Sequence, residues 1–367
     1  MCKEGSPIVL YGRLYTKYQS IIDEIDTFVA PKANSVISTG GEVIIPASGE
    51  SPEDISLAAT IKNAGVIIGG DLNVLKFDCN NNNPDFMSMA ITYSPTRSEL
   101  SNYSQGKTVV HLRNSEIAKG NVCFPRIEEQ KAIVNYVLSL DSQISASTSR
   151  LTSLKQMKAA SLQAMFPQEG ETVPKIRFKG FEGEWKKVKF GTLLKECTDK
   201  STSEDEDILL SSAINGVFLN SELFGHQRGR SNIGYRKIKR NMLILSAQNL
   251  HLGNANVNLR FEHGLVSPAY KIYDLYNVLP EFMYHWIKRE ETKKFFLDAT
   301  TAGASLCRKN IVWTDLYKQN ILLPKSDTEQ QAIASYFTSL DRQISLQSQR
   351  LEKLKQIKSA CLDKMFV

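Results

Sequence analysis

The sequence predicts an α+β fold in which two globular units alternate with two long helices. The helices are expected to pair antiparallel as a coiled coil, and the whole to carry an internal pseudo-twofold repeat. Three observations carry this prediction. Residues 129–166 recur as residues 329–366 at a constant offset of 200, without a gap, and 21 of the 38 aligned positions are identical. The identities include polar residues that helical patterning does not demand: Asp141 and Asp341, Gln143 and Gln343, Arg150 and Arg350, Lys155 and Lys355. A repeat of this kind sets the architecture. Finally, 367 residues exceed one ordinary domain.

The expected boundaries are a first unit over residues 1–124, a central helix over 125–166, a second unit over 167–323 and a C-terminal helix over 324–367. In the first unit, Glu42-Val43-Ile44-Ile45 is a short apolar strand candidate, and Pro84 opens a helix-like stretch. Residues 121–125 (Asn-Val-Cys-Phe-Pro) lead into the central helix. The second unit repeats these anchors as Met242-Leu243-Ile244-Leu245, Pro280 and residues 320–324 (Asn-Ile-Leu-Leu-Pro). Between the anchors the two units diverge almost completely.

In the central helix the seam positions are Ile133, Val137, Leu140, Ile144, Leu151 and Leu154. In the C-terminal helix they are Ile333, Phe337, Leu340, Ile344, Leu351 and Leu354. Steps of four and three make a narrow heptad stripe, which suits helix-on-helix packing better than it covers a domain surface. At about 1.5 Å per residue each helix would span roughly 55 Å. The competing arrangement is two independent amphipathic helices, each capping its own domain.

A 42% apolar composition supplies proper cores, and no low-complexity tract suggests disorder. The six cysteines form no C-x-x-C pair and no metal-ligand spacing, the pattern of reduced thiols in a cytoplasmic protein. No apolar run is long enough to cross a bilayer, so no membrane partner is expected. The net charge of +6 suits a nucleic-acid partner without demanding one.

Several catalytic signatures nearly form, and each fails. Gly106-Lys107-Thr108 ends like a phosphate-binding loop, but Ser101 stands where that loop needs glycine. Asn83-Pro84-Asp85-Phe86 approximates an adenine-methyltransferase loop, lacks its second proline, and reads better as a helix start with an acid in the first turn. Asp85 with the distant Glu129 and Lys131 imitates a metal nuclease, yet the second copy has Gln331 at the lysine position. The five histidines show no ligand spacing. Neither a catalytic residue nor a bound metal is therefore expected.

What remains is a binding signal. Arg228, Arg230, Arg236, Lys237, Lys239 and Arg240 place six cations within 13 residues, with Tyr235 among them and Gly225, Gly229 and Gly234 allowing close backbone approach. In the first unit Arg13, Tyr15 and Lys17 interleave bases with aromatics, and Arg113, Arg308 and Lys309 are further candidates for DNA contact.

The arrangement resembles the specificity (S) subunit of a type I restriction-modification system. The resemblance rests on the paired Pro…Glu-Gln-x-x-Ile stretches (125–133 and 324–333), the Leu-Asp-x-x-Ile steps (140–144 and 340–344) and the Leu-Lys-x-x-Lys…Met-Phe exits. It rests also on residues 174–185, Pro-Lys-Ile-Arg-Phe-Lys-Gly-Phe-Glu-Gly-Glu-Trp. It implies two target-recognition domains, each reading half of a bipartite, asymmetric site in double-stranded DNA, with the helices as a ruler. It implies docking of two methyltransferase subunits and of restriction subunits. S-adenosylmethionine, ATP and magnesium would belong to those partners and not to this chain. The alternative is a coiled-coil assembly scaffold without a nucleic-acid role. One departure stands out: the first unit has no counterpart of residues 174–189, so either the true start lies upstream, or the first target-recognition domain is naturally shortened and is expected to be less stable or to borrow an element from elsewhere.

Overall fold

The computed structural model describes residues 5–106, 108–224, 231–301 and 309–366. It is a mixed helix and sheet structure that divides into two compact units. The first comprises Met1–Ser149 and Ser348–Val367; the second is Arg150–Gln347. Each unit therefore contains a part of both long helices.

In the first unit, Glu42–Pro46 is central to a four-stranded sheet, flanked by Ala59–Ile61 and Leu72–Leu75, with Ile21–Ile22 outside Ala59–Ile61. All five residues of Glu42–Pro46 are buried, as expected of a strand covered on both faces. A second sheet places Val36–Ile37 antiparallel to Ile67–Ile68. The helix Pro84–Tyr93 packs on the first sheet through Ile91, which shares a core with Val43 and Ile45, and turns Phe86, Met87 and Met89 to the long helices. It starts where it does because Asn83 caps it, its side chain accepting from the Phe86 amide at 3.1 Å, and proline occupies the first turn. Asp85 faces Lys62 at 2.8 Å, an ion pair and no metal ligand.

The second unit repeats the plan. Leu243–Ser246 lies between Ala255–Val257 and Tyr270–Leu275, with Leu194–Cys197 added outside the latter. Arg236–Lys239 pairs antiparallel with His263–Val266, and Lys186–Lys189 with Asn320–Leu323. The helix Pro280–Ile287 buries Phe282, Met283 and Trp286 in the main core.

The long helices run Ile127–Ala164 and Asp327–Met365. In the first unit Ile133, Val134 and Val137 of the central helix share a core with Leu362 and Phe366 of the C-terminal one. In the second unit Leu154, Met165 and Phe166 share a core with Ile333, Phe337 and Leu340. Among the seam positions, Ile144, Leu151, Ile344, Leu351 and Leu354 are only half-buried. Leu154 is buried and its repeat partner Leu354 is not, because the second unit presses Trp185, Phe190 and their neighbours into a larger core.

Candidate nucleic-acid interface

The same side chains dock the long helices to both units. Gln130 and Gln330 are buried and stand 200 residues apart. Gln130 Oε1 accepts the backbone N–H of Asn83 at 2.8 Å, and Gln330 Oε1 accepts that of Leu279 at 2.9 Å. Each N–H belongs to the residue before a helix-opening proline, so each glutamine satisfies a buried donor and fixes the domain helix on the long helix. Phe366 lies 5.4 Å from Phe86, and Phe166 lies 5.5 Å from Phe282. Lys158 Nζ meets Asp341 at 2.5 Å, and Lys358 Nζ meets Asp141 at 2.5 Å.

Against this sameness, the strand next to the repeated core differs between units. Arg236 lies opposite Val266 and Lys237 opposite Leu265; Val36 lies opposite Ile68 and Ile37 opposite Ile67. The register makes Val36 and Ile37 the counterparts of Arg236 and Lys237. Val36 is 58% and Ile37 55% exposed, an apolar pair open to solvent where the second unit is basic. The offset of 200 held the clue, but β-branched residues in a strand are ordinarily read as core.

Among the described residues of the basic run, Arg236, Lys237 and Arg240 have partners inside the second unit. Lys237 bonds Glu206, Arg240 bonds Glu262, and His263, opposite Lys239, shares a 2.6 Å bond with Asp207. Lys237 holds the exposed Glu206 carboxyl below the usual carboxylate range. Arg236 donates to the Thr198 carbonyl at 3.3 Å, and Tyr235 is half-buried behind it. Lys239 is exposed, and no hydrogen bond or ion pair of its side chain occurs among the described residues. Composition could not anticipate the acid partners, which come from residues 206, 207 and 262.

In the first unit Arg13 is a loop clamp with a buried side chain. Its guanidinium reaches Asp26 at 3.0 Å, Gln19 at 2.7 Å and the Glu24 carbonyl at 2.7 Å. All three partners lie within the first unit. Tyr15 donates to the Ser48 carbonyl at 2.5 Å, and burial pushes its pKa up to about 12. Lys17 is exposed and pairs with Asp26 at 2.6 Å. Arg113 is exposed, Lys309 half-buried, and Arg228, Arg230 and Arg308 lie outside the described residues.

Two half-buried bases went unnoticed in the sequence. Lys288 donates to the carbonyls of Ile214 and Ala255 at 2.6 and 3.0 Å and to Asn256 Oδ1 at 2.6 Å, and burial lowers its pKa to about 8. Arg289 lies over the rings of Phe166 and Trp286 at 4.8 and 5.7 Å. Both follow the helix Pro280–Ile287: Lys288 ties it to Ile214 and to the strand Ala255–Val257, and Arg289 to Phe166, a structural task. Among the described residues no group of three metal-ligating side chains forms, and no helix is long and apolar enough to cross a membrane.

No curated protein matches the chain at a significant level. The fold is similar to that of the HsdS subunit from Thermoanaerobacter tengcongensis, at 17% identity over 92% of this chain and 83% of that one, with a TM-score of 0.50. It is similar too to the type I restriction-modification S subunit from M. genitalium, at 13% identity over 99% and 93% of the two chains, with a TM-score of 0.53. The sequence profile of the type I restriction modification DNA specificity domain matches residues 3–156 and 265–356, more than half of the chain. With its doubled helix, its repeated docking contacts and two divergent surface strands, the chain belongs to the type I restriction-modification DNA specificity family.

Proposed function

We propose that this chain is the non-catalytic reader of a type I restriction-modification complex, in which each unit recognises one half of a bipartite, asymmetric DNA site. The long helices form an antiparallel, pseudo-twofold pair that sets the half-site spacing and offers two repeat-related surfaces to two methyltransferase subunits. The observation that carries this reading is the contrast between repeated framework contacts and unlike surface strands. Equivalent frameworks suit identical partners, while unlike strands suit unlike half-sites. Two readers on a stiff spacer gain affinity through effective concentration only when the half-sites match their separation.

DNA contact in the second unit centres on Lys239, with Lys237 and Arg240 exchanging carboxylates for phosphates. In the first unit Lys17 and Arg113 supply phosphate contacts, and Val36 with Ile37 supplies apolar contact to base edges. S-adenosylmethionine, ATP and magnesium act in the methyltransferase and restriction subunits, and the complex works in the cytoplasm. Filter binding of mixed-sequence DNA over a salt series tests the reading. A reader should lose affinity along a log–log slope of roughly −0.9 per phosphate contacted. A scaffold would show no binding to lose, and cleavage or methylation by the chain alone would contradict the non-catalytic role.

A further inference from the structure

The second unit holds a cleft of about 370 Å³ where residues 166–169, leaving the central helix, pass the helix Glu291–Leu297. Phe166, Trp185, Trp286 and Phe295 wall the cleft, and Arg289 lines it. The Arg289 guanidinium lies over the rings of Phe166 and Trp286, which shield it from water. Among the described residues its side chain makes no hydrogen bond and no ion pair, and Nε is buried without a partner. Burial pulls its pKa down to about 10, so it remains a cation at neutral pH. A cation shielded from water and given no acceptor is unfavourable.

The repeated framework does not require that charge. Arg289 stands ten residues after Leu279 and Tyr93 ten after Asn83, the two residues whose N–H groups Gln330 and Gln130 hold. Tyr93 is half-buried and lies 6.1 Å from the ring of Phe366, the counterpart of Phe166. A neutral ring thus fills the equivalent place in the first unit. Seven residues after the same anchors, Trp286 stands where the first unit has Ala90. The acids around the cleft leave Arg289 unserved. Both Glu169 oxygens accept from Lys294 Nζ, at 3.0 and 2.8 Å. Glu291 acts on Arg289 through space and forms no ion pair with it, and Asp298 is exposed. Gln319, half-buried in the same lining, also makes no side-chain hydrogen bond among the described residues.

We propose that this cleft binds a carboxylate carried on an apolar body, held by the Arg289 fork with the Gln319 amide as a second donor, independently of DNA recognition. A planar carboxylate matches the paired donors of a guanidinium, and the aromatic walls take the apolar body. A phosphate fits less well. Three acids line the cleft, Glu169, Glu291 and Asp298, against two cations, and they repel a dianion more than a monoanion. The carboxylate belongs either to a free small acid or to the C-terminus of a peptide chain, two sources of one chemistry.

Titration of N-acetyl-phenylalanine into the full chain, followed by tryptophan fluorescence, tests this, because Trp185 and Trp286 wall the cleft. The expected result is a saturable change that weakens about tenfold or more with N-acetyl-phenylalanine amide as the probe. The same loss is expected in Arg289→Met, which keeps an unbranched side chain over Phe166. Glu291→Gln, which removes the carboxylate acting on Arg289, should tighten binding, and this outcome stands even where Arg289→Met fails to fold. Phenylacetate binding at least as tightly as N-acetyl-phenylalanine identifies free small acids as the ligand, and weaker binding identifies a chain end. Absence of a saturable change overturns the proposal. So does equal binding of acid and amide, equal binding to wild type and Arg289→Met, or a Glu291→Gln chain that binds no tighter. Inorganic phosphate binding more tightly than either acid also overturns it.

Discussion

Lys158 and Asp341 meet at 2.5 Å although 183 residues separate them, and their repeat counterparts Lys358 and Asp141 meet at the same distance. One pair lies in each unit, joining the central and C-terminal helices within it. A contact that recurs with its chemistry and geometry intact expresses the repeat in three dimensions.

These pairs are partly exposed, so each contributes about 0–1 kcal/mol and more to register than to stability. Lys158→Glu should lower the second unit's stability by about 1 kcal/mol, and adding Asp341→Lys should recover most of it. A double-mutant cycle by urea denaturation measures this coupling. Coupling indistinguishable from zero would remove the pair from the account.

Leu140 and Leu340 are nearly fully buried on the helix pair. Aspartate at either position places an unpaired carboxylate among apolar groups, costing about 3–5 kcal/mol. Calorimetry should show Leu140→Asp lowering the transition of the first unit and Leu340→Asp that of the second. Unchanged transitions in both variants would contradict the helix-pair packing.

His285 makes the second unit acid-sensitive. Burial, and secondarily Lys158, lowers its pKa to about 3. Asp341 Oδ2 is 3.9 Å from its Nδ1, and Thr338 is 3.3 Å from Nε2. Because the folded pKa is depressed, stability is full above the unfolded value near 6.5 and falls as pH drops toward the folded one. Linkage puts the loss at about 2 kcal/mol between pH 6.5 and pH 5. His285→Gln, which keeps a polar group beside Thr338, should flatten that dependence. An identical acid profile would assign the sensitivity elsewhere.

Lys237 and Glu206 yield opposite outcomes for DNA. Lys237→Ala should weaken binding by a few-fold and reduce the magnitude of the salt slope by about 0.9. Glu206→Gln, which releases the same lysine, should strengthen binding. If the two substitutions change affinity in the same direction, the strand Arg236–Lys239 is not the contact surface.

The framework was legible in the sequence because repetition exposes it. Gln130 and Gln330, and the heptad apolar residues, occupy equal positions in two otherwise unlike units. The binding surface was much less legible. The run from Arg236 to Arg240 looked like free charge, yet Glu206 and Glu262 neutralise part of it, and only tertiary folding brings them together. Val36 and Ile37, apolar residues on the end strand of a sheet, were not singled out, and they face solvent. Arg13 was singled out for its charge, and the fold joins it to Asp26 and the Glu24 carbonyl, a contact the local sequence does not reveal.

The most direct test of the account is genome-wide mapping of N6-methyladenine after co-expression with the methyltransferase subunit, for wild type, Val36→Ser/Ile37→Ser and Lys237→Ala/Lys239→Ala. The account predicts a split motif that requires both proteins, with the first variant relaxing one half and the second variant the other. An undivided motif, or both variants altering the same half, would contradict the assignment of one half-site to each unit.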